Sequence, residues 1–276
     1  MERMSPADAL VGKEATEGQV RRLRSAASVG VGIDVGSTSS DVVVLDAQGR
    51  VLYCDYRRTK GQPVETVRGQ LALVVERFTP DRISLVACSG SAGRFVAKLL
   101  SVTFVNEVPA QAAAVRWRYP HLRQASILEM GGQDSKLIFL REEDGQVRVK
   151  EFSLNTVCAA GTGSFLDQQA QRLGINIEGE FGALAIESVN VPRMAGRCSV
   201  FAKSDMIHLQ QQATPVCDIL AGLCLALARN LKSNLGCGRE FVKPIVFTGG
   251  VAANAGVVRA LGQVFELSPE ELLVPE

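Results

Sequence analysis

The sequence lacks a strong charge bias and lacks long apolar runs. Its 30 lysines and arginines nearly balance 29 aspartates and glutamates, for a formal net charge of +1, and no basic excess favours nucleic-acid binding. No apolar segment approaches the roughly 20 residues that a membrane span needs, and the N-terminus lacks the apolar core of a signal peptide. We therefore expect a cytoplasmic protein that binds neither nucleic acid nor membrane.

Two familiar kinds of motif are also missing. None of the seven cysteines forms a CxxC pair, and an odd number of cysteines in a cytoplasmic protein argues against a disulfide framework. Neither the GxxxxGK[ST] phosphate loop nor the GxGxxG dinucleotide loop occurs, so the commoner nucleotide-binding folds are disfavoured.

What the sequence does contain is a strand, a glycine turn and a second strand, all repeated once. Strands are predicted over 28–34, 41–45, 126–130 and 136–140. An offset of 95 residues places Asp34 on Glu129 and also Gly36 on Gly131. This pattern indicates a duplicated α/β fold; the alternative is a chance recurrence of short glycine hairpins.

The repeat divides the chain into three predicted segments. Residues 1–27 are expected to form a polar N-terminal extension, 28–124 the first half, and 125–276 the second half, which becomes mostly helical after residue 158. Helices are predicted over 63–78, 162–173, 215–235 and 253–261, with a further one that starts near residue 200 or 204.

The glycine turns indicate an anion site. Gly36, Ser37 and Thr38 would present successive backbone N–H groups and hydroxyls to one side, which suits a phosphate. Two such turns facing one another would hold a polyphosphate. The carboxylates that precede them, Asp34 and Glu129, would repel phosphate unless a divalent cation lay between, so we expect a hydrated magnesium ion that meets them largely through water.

A third glycine turn follows the strand predicted over 244–248. Gly249 and Gly250 would let a planar base approach the backbone closely, and the helix that follows would direct its N-terminus towards phosphate. Three such glycine turns in this order indicate a nucleotide site more specifically than a single turn does.

Two of the cysteines, Cys158 and Cys198, each directly precede a predicted helix. The positive end of a helix dipole lowers the pKa of a thiol, although a structural role is the usual one for a lone cysteine. Two cysteines cannot saturate a cubane cluster, which needs four thiolates, but a two-fold homodimer could bring two such pairs together on its axis. Tetrahedral zinc at the same axis is equally allowed. The other cysteines are expected to be inert: Cys54, Cys88, Cys217, Cys224 and Cys237.

In order along the chain, from about residue 29 to residue 275, these motifs resemble the activators of 2-hydroxyacyl-CoA dehydratases. The same family includes the ATPase subunits of ATP-dependent benzoyl-CoA reductases. The segments that carry the resemblance are 32–38, 131–136, 155–163, 197–205 and 248–252. It implies the actin and sugar-kinase superfold, with two ribonuclease-H-like halves around a nucleotide cleft, and a homodimer with one bridging 4Fe–4S cluster.

The resemblance also implies a function. ATP hydrolysis would drive one low-potential electron, supplied by reduced ferredoxin or flavodoxin, into a 2-hydroxyacyl-CoA dehydratase or a benzoyl-CoA reductase-like partner. By motif matching, Cys158 and Cys198 are the implied cluster ligands. Asp34, Glu129 and Gln133 are the implied catalytic residues. The implied ATP/ADP contacts are Gly36, Ser37, Thr38, Gly131, Gly132, Gln133 and Asp134 at the phosphates, with Gly249, Gly250 and Val251 on the adenosine side.

Two departures from the family pattern leave alternatives open. Glu129 stands where the family usually has Asp, and the chain stops at 274–276, before the small-residue helix that normally closes the second domain. We therefore expect a fragment of a longer, fused activator-type protein. The alternatives are a small-molecule kinase of the same superfold with structural cysteines, and a non-catalytic ATP-sensing module of a larger protein.

Overall fold

The structure is a computed structural model that describes residues 28–155, 161–195 and 199–275. The chain folds into two compact units. One unit ends at Leu122 and the other begins at Arg123, and each has its own five-stranded sheet and its own apolar core. The N-terminal extension predicted for residues 1–27 lies outside the described residues, as do Cys158 and Cys198.

The sheet of the first unit has the strand order β3-β2-β1-β4-β5. Its strands are β1 (Val29–Val35), β2 (Ser39–Leu45), β3 (Val51–Arg58), β4 (Ile83–Ser89) and β5 (Thr103–Phe104). β1 to β3 form an antiparallel meander, whereas β4 runs parallel to β1, and β5 runs parallel to β4. The helices are α1 (Pro63–Arg77), α2 (Gly93–Leu100) and α3 (Glu107–Arg118).

Alternating burial along β1 builds the core of this unit. Val29, Val31, Ile33 and Val35 are each at most 2% exposed, because residues two apart share one face of a strand. This face packs with apolar residues of α1, a helix that starts with proline, the residue whose missing N–H costs nothing at the first helical position.

The sheet of the second unit has the order β10-β9-β6-β7-β8. Its strands are β6 (Gln124–Met130), β7 (Ser135–Glu143), β8 (Gln146–Asn155), β9 (Ile245–Thr248) and β10 (Leu272–Leu273). Its helices are α4 (Gly163–Leu173), α5 (Phe181–Ile186), α6 (Ser199–Gln211), α7 (Val216–Gly236) and α8 (Ala255–Phe265). α7 is 21 residues long and buried over most of its circumference, so it is the central helix of this core.

The two sheets repeat one topology. Starting from the meander edge, β3-β2-β1-β4-β5 matches β8-β7-β6-β9-β10 in order, and the equivalent strand pairs run in the same relative directions. The match includes the parallel strands, which lie far along the chain from each hairpin, so chance recurrence of a hairpin does not account for it. The predicted duplication is confirmed.

In the part of the chain that the structure describes, no helix has both the length and the apolar character needed to cross a membrane.

Candidate nucleotide site

Equivalent hydrogen bonds close the two predicted phosphate turns. In the first unit the Gly36 N–H donates to Ser39 O at 2.9 Å, and in the second the Gly131 N–H donates to Asp134 O at 3.0 Å. Donor and acceptor both shift by the same 95 residues between the turns. The two turns therefore share one closing hydrogen bond as well as one place in the topology.

The helix α4 docks end-on against the second turn. The Gly163 N–H donates to Gly131 O at 2.9 Å, and the Ser164 N–H donates to Gly132 O at 2.7 Å. These N–H groups belong to the first turn of the helix and have no partner within it. They hold the carbonyls of the turn instead, which fixes the turn to the helix.

A buried ion pair lies directly behind the second turn. Lys136 Nζ lies 2.8 Å from Glu129 Oε2 and 2.9 Å from Asp134 Oδ2. Lys136 is 4% exposed and Glu129 is 8% exposed. Burial by itself favours the neutral amine, but the charges and hydrogen bonds of Glu129 and Asp134 outweigh it, so the pKa of Lys136 is raised above its ordinary value.

The equivalent position in the first unit has the opposite electrostatic character. Asp34 is opposite Asp41 across β1 and β2, where the second unit sets Glu129 opposite Lys136. Asp34 is exposed. Burial, and then the negative charge of Asp55, raise the pKa of Asp41 to about 6. One half thus places two acidic residues side by side, whereas the other pairs an acid with a base.

The third predicted turn is shaped by a glycine that no other residue can replace without strain. Gly249 has φ +88°, and a Cβ at this position would clash with the carbonyl of Met130. Gly90 plays the same part in the first unit, with φ +95° and a clash with the carbonyl of Val35. Gly90 was not predicted from sequence; the available signal was its position directly after β4, as Gly249 directly follows β9.

Three elements of the second unit meet around Gly163. A Cβ added there would lie 2.9 Å from Val251 Cγ2 and 3.1 Å from Gly131 O. The start of α4, the phosphate turn and the short 3₁₀ helix Gly250–Ala253 are therefore in contact. By contrast, a Cβ added to Gly250 would meet no atom within 4 Å, so the packing of the unit does not require a glycine there.

Two of the described cysteines are poorly suited to bind metal. Cys88 and Cys224 are buried, and burial raises the pKa of their thiols to about 11 and about 12, which disfavours the thiolate that ligation needs. No cluster of three or more His, Cys, Asp or Glu side chains suited to a metal ion occurs within 28–155, 161–195 and 199–275.

Most of the predicted nucleotide-site residues lie at two equivalent turns, one in each unit. The structure places Gly131, Gly132, Gln133 and Asp134 in one turn, with Glu129 immediately before it and Val251 close by. Gly36, Ser37 and Thr38 occupy the equivalent turn of the first unit, after Asp34. Lys136 and Gly163 were not assigned from sequence, although Lys136 lies within the motif at 131–136 and Gly163 ends the motif at 155–163.

Two mixed sheets of one topology, each with a tight glycine turn after its central strand, define a protein of the actin and sugar-kinase ATPase fold, as the sequence predicted. More narrowly, residues 31–270 match the model of the BadF/BadG/BcrA/BcrD ATPase family, and the chain belongs to that family.

The chain is also similar to individual dehydratase activators. The chain is 34% identical over 176 residues to the 2-hydroxyisocaproyl-CoA dehydratase activator of Clostridioides difficile, a match that spans 62% of this chain and 61% of that activator. It is 31% identical over 241 residues to the activator of lactoyl-CoA dehydratase of Anaerotignum propionicum, which covers 86% and 88% of the two chains.

The fold also resembles that of a solved activator structure. The activator of the 2-hydroxyisocaproyl-CoA dehydratase from Clostridium difficile, with bound ADPNP, superposes with a TM-score of 0.76 at 27% identity. The superposition covers 90% of this chain and 88% of that one.

Proposed function

We propose that this protein is an ATP-hydrolysing activator, which passes a low-potential electron to a 2-hydroxyacyl-CoA dehydratase or a related reductase. The observation that carries the proposal is the duplicated glycine turn, held in the second unit by the helix that follows Cys158 in the sequence. The names of the relatives, which are activators of two such dehydratases and a benzoyl-CoA reductase subunit, support this choice of partner.

In the proposed site the turn N–H groups bind the phosphates of ATP, and a magnesium ion offsets the phosphate charge. Asp34 is the better of the two proposed carboxylates for that ion, because it stands beside a second acid, Asp41. The charge of Glu129 is already balanced by Lys136 at 2.8 Å. Gln133, exposed at the tip of the second turn, is proposed to orient the attacking water, and Gly249, Gly250 and Val251 to border the adenosine.

Cys158 and Cys198 are the proposed ligands of a 4Fe–4S cluster shared by two subunits. Their sequence motifs support this, as does the unsuitability of the buried thiols of Cys88 and Cys224. A cluster bound there would hold one low-potential electron, for which reduced ferredoxin or flavodoxin is the proposed donor. Each subunit would contribute two of the four thiolates.

The contacts of α4 support a coupling between nucleotide and cysteine. Its first two N–H groups hold the carbonyls of Gly131 and Gly132, and it begins five residues after Cys158. Ser135, the first residue of β7, donates its hydroxyl to Gly161 O at 2.7 Å and so restrains the same segment. A shift of the turn on ATP binding or hydrolysis would thus act directly on the helix that follows Cys158.

The test uses anaerobically purified protein. We expect it to bind ATP in calorimetry, to form a dimer in light scattering, and to contain about two irons and two sulfides per subunit, since one cubane would serve two chains. The isolated protein should hydrolyse ATP slowly. Iron-free protein that rapidly phosphorylates a sugar or a carboxylic acid would favour the kinase alternative, and protein that binds no ATP would contradict the proposal altogether.

A further inference from the structure

Equivalent carbonyls of the two glycine turns each accept a hydrogen bond from a hydroxyl outside the turn. In the first unit Thr59 Oγ1 donates to Ser37 O at 3.2 Å. In the second unit Ser164 Oγ donates to Gly132 O. Ser37 and Gly132 are related by the same offset of 95 residues that relates the turns.

Backbone N–H groups reinforce both contacts. The Thr59 N–H donates to Thr38 O at 2.9 Å, and the Ser164 N–H donates to Gly132 O at 2.7 Å. Thr59 is only 2% exposed, so its hydroxyl is committed to the turn and does not point into solvent. In each turn, one residue thus donates two hydrogen bonds to turn carbonyls, one from its backbone N–H and one from its hydroxyl.

The two hydroxyls reach these carbonyls by different routes. Thr59 directly follows β3, whereas Ser164 is the second residue of α4. At β3 and β8 the offset is 98, because Ser40 is opposite Arg57 and the equivalent Ser135 is opposite Asn155. The residue 98 positions after Thr59 is Val157, which has no hydroxyl. The duplication therefore does not explain the match, and two unrelated parts of the chain supply one and the same restraint.

Planarity of the peptide group explains what the restraint does. In a trans peptide the carbonyl of one residue and the N–H of the next point in opposite directions. Binding of Ser37 O therefore directs the Thr38 N–H away from Thr59, and binding of Gly132 O directs the Gln133 N–H away from Ser164. Thr38 and Gln133 are the central residues of the two proposed phosphate turns.

We propose that Thr59 and Ser164 are positioning residues for ATP: their hydroxyls fix the turn peptides so that the Thr38 and Gln133 N–H groups point to the phosphates. This inference rests on the proposed ATP site. It assigns the two residues no direct contact with the nucleotide, and their effect should depend on the phosphates and not on the base.

The experiment measures ATP and adenosine affinities by calorimetry for Thr59→Val and Ser164→Ala. Loss of one neutral hydrogen bond should weaken ATP binding about three- to tenfold in Thr59→Val. The loss should be smaller in Ser164→Ala, because the Ser164 N–H still donates to Gly132 O. Adenosine affinity should stay at the wild-type value in both variants. Thr59→Ser and Ser164→Thr keep the hydroxyl and should restore ATP binding. Circular dichroism and the thermal midpoint verify that each variant is folded.

Matched controls remove a hydroxyl-to-carbonyl bond elsewhere in the same unit. Thr66 Oγ1 donates to Gln62 O at 2.9 Å in α1, and Ser153 Oγ donates to Leu235 O at 2.9 Å from β8. Thr66→Val and Ser153→Ala should therefore bind ATP as the wild type does.

Each other outcome is informative. Wild-type ATP affinity in Thr59→Val and Ser164→Ala would overturn the positioning role but leave the proposed function intact. Equal losses of ATP and adenosine affinity, or no rescue by the conservative variants, would also overturn it, because such losses indicate general damage to the unit. Wild-type protein that binds no ATP would instead refute the proposed function.

Discussion

Lys136→Met would measure how much the buried ion pair stabilises the second unit. Lys136 is 4% exposed, and its Nζ lies 2.8 Å from Glu129 Oε2. Removal of one partner from a buried pair leaves an uncompensated charge in a poorly solvated place and costs about 3–5 kcal/mol. Because whole domains are stable by only about 5–15 kcal/mol, the variant should lose a large fraction of the free energy of unfolding.

A second variant and a matched control isolate the cause. Lys136→Met combined with Glu129→Gln removes the two most buried charges and leaves that of Asp134, whose side chain is 30% exposed, so it should recover most of the loss. Lys150→Met breaks another strand-to-strand pair of the same sheet, Lys150 Nζ to Glu143 Oε1 at 2.9 Å, whose side chains are 56% and 42% exposed. The two pairs have nearly equal distances and differ in burial, so Lys150→Met should leave stability close to that of the wild type.

Urea unfolding followed by circular dichroism measures all three variants against the wild type. We expect a clear drop in midpoint for Lys136→Met alone, with unchanged dependence on urea concentration. Equal midpoints for Lys136→Met and Lys150→Met would refute the role of burial. A double variant no more stable than Lys136→Met would refute the explanation by an unpaired Glu129.

Three further predictions concern the proposed site and its surroundings. Gly131→Val should abolish ATP binding in calorimetry and keep the far-ultraviolet spectrum, because even a Cβ there would lie 2.9 Å from Asp134 Oδ1; wild-type affinity would show that the turn does not bind phosphate. Cys158→Ser should lose the iron, whereas Cys224→Ser should retain about two irons per subunit; full iron content in the first variant would contradict a shared cluster. Asp41→Asn should stabilise the protein by about 1–2 kcal/mol at pH 7, because a carboxyl with pKa about 6 is disfavoured when charged; the gain should shrink as pH falls towards 4, and urea unfolding that shows no such trend would contradict it.

The central strands and the repeat could be predicted because both depend on local patterns. The strand predicted over 28–34 is found at Val29–Val35, and the one over 126–130 at Gln124–Met130. These strands can be predicted from two local signals, the alternation of apolar residues and the glycine that follows each strand. The helix predicted over 215–235 is found at Val216–Gly236, since its apolar pattern persists over many turns.

Helices α2 and α3 were missed for physical reasons. α2 has only eight residues, and its large apolar side chains Phe95 and Leu99 are 58% and 56% exposed. These side chains therefore do not mark the buried face, which Gly93, Val96 and Ala97 form. α3 contains Pro109 in its first turn, where proline looks like a helix breaker but is tolerated. The Asn106 side chain caps this helix by accepting the Val108 N–H at 3.0 Å.

The site could be predicted only as far as its sequence motifs extend. Lys136 was part of a motif, but its role depends on strand register, which sets it directly opposite Glu129. The part played by Gly90 becomes visible only when β4 and β9 are seen to occupy equivalent places beside β1 and β6. The hydroxyls of Thr59 and Ser164 lie outside the turns they hold, and no short-range pattern connects them.

The charges around the two turns differ although the backbones agree, and this difference has a consequence for the proposed chemistry. Lys136 stands where the first unit has Asp41, and it pairs with both Glu129 and Asp134. Its one positive charge thus offsets part of the negative charge beside the second turn. The first unit sets Asp34 opposite Asp41, so two acidic residues lie side by side there. In the proposed site we therefore expect the magnesium ion to bind beside Asp34, and the backbone N–H groups of the second turn to bind phosphate.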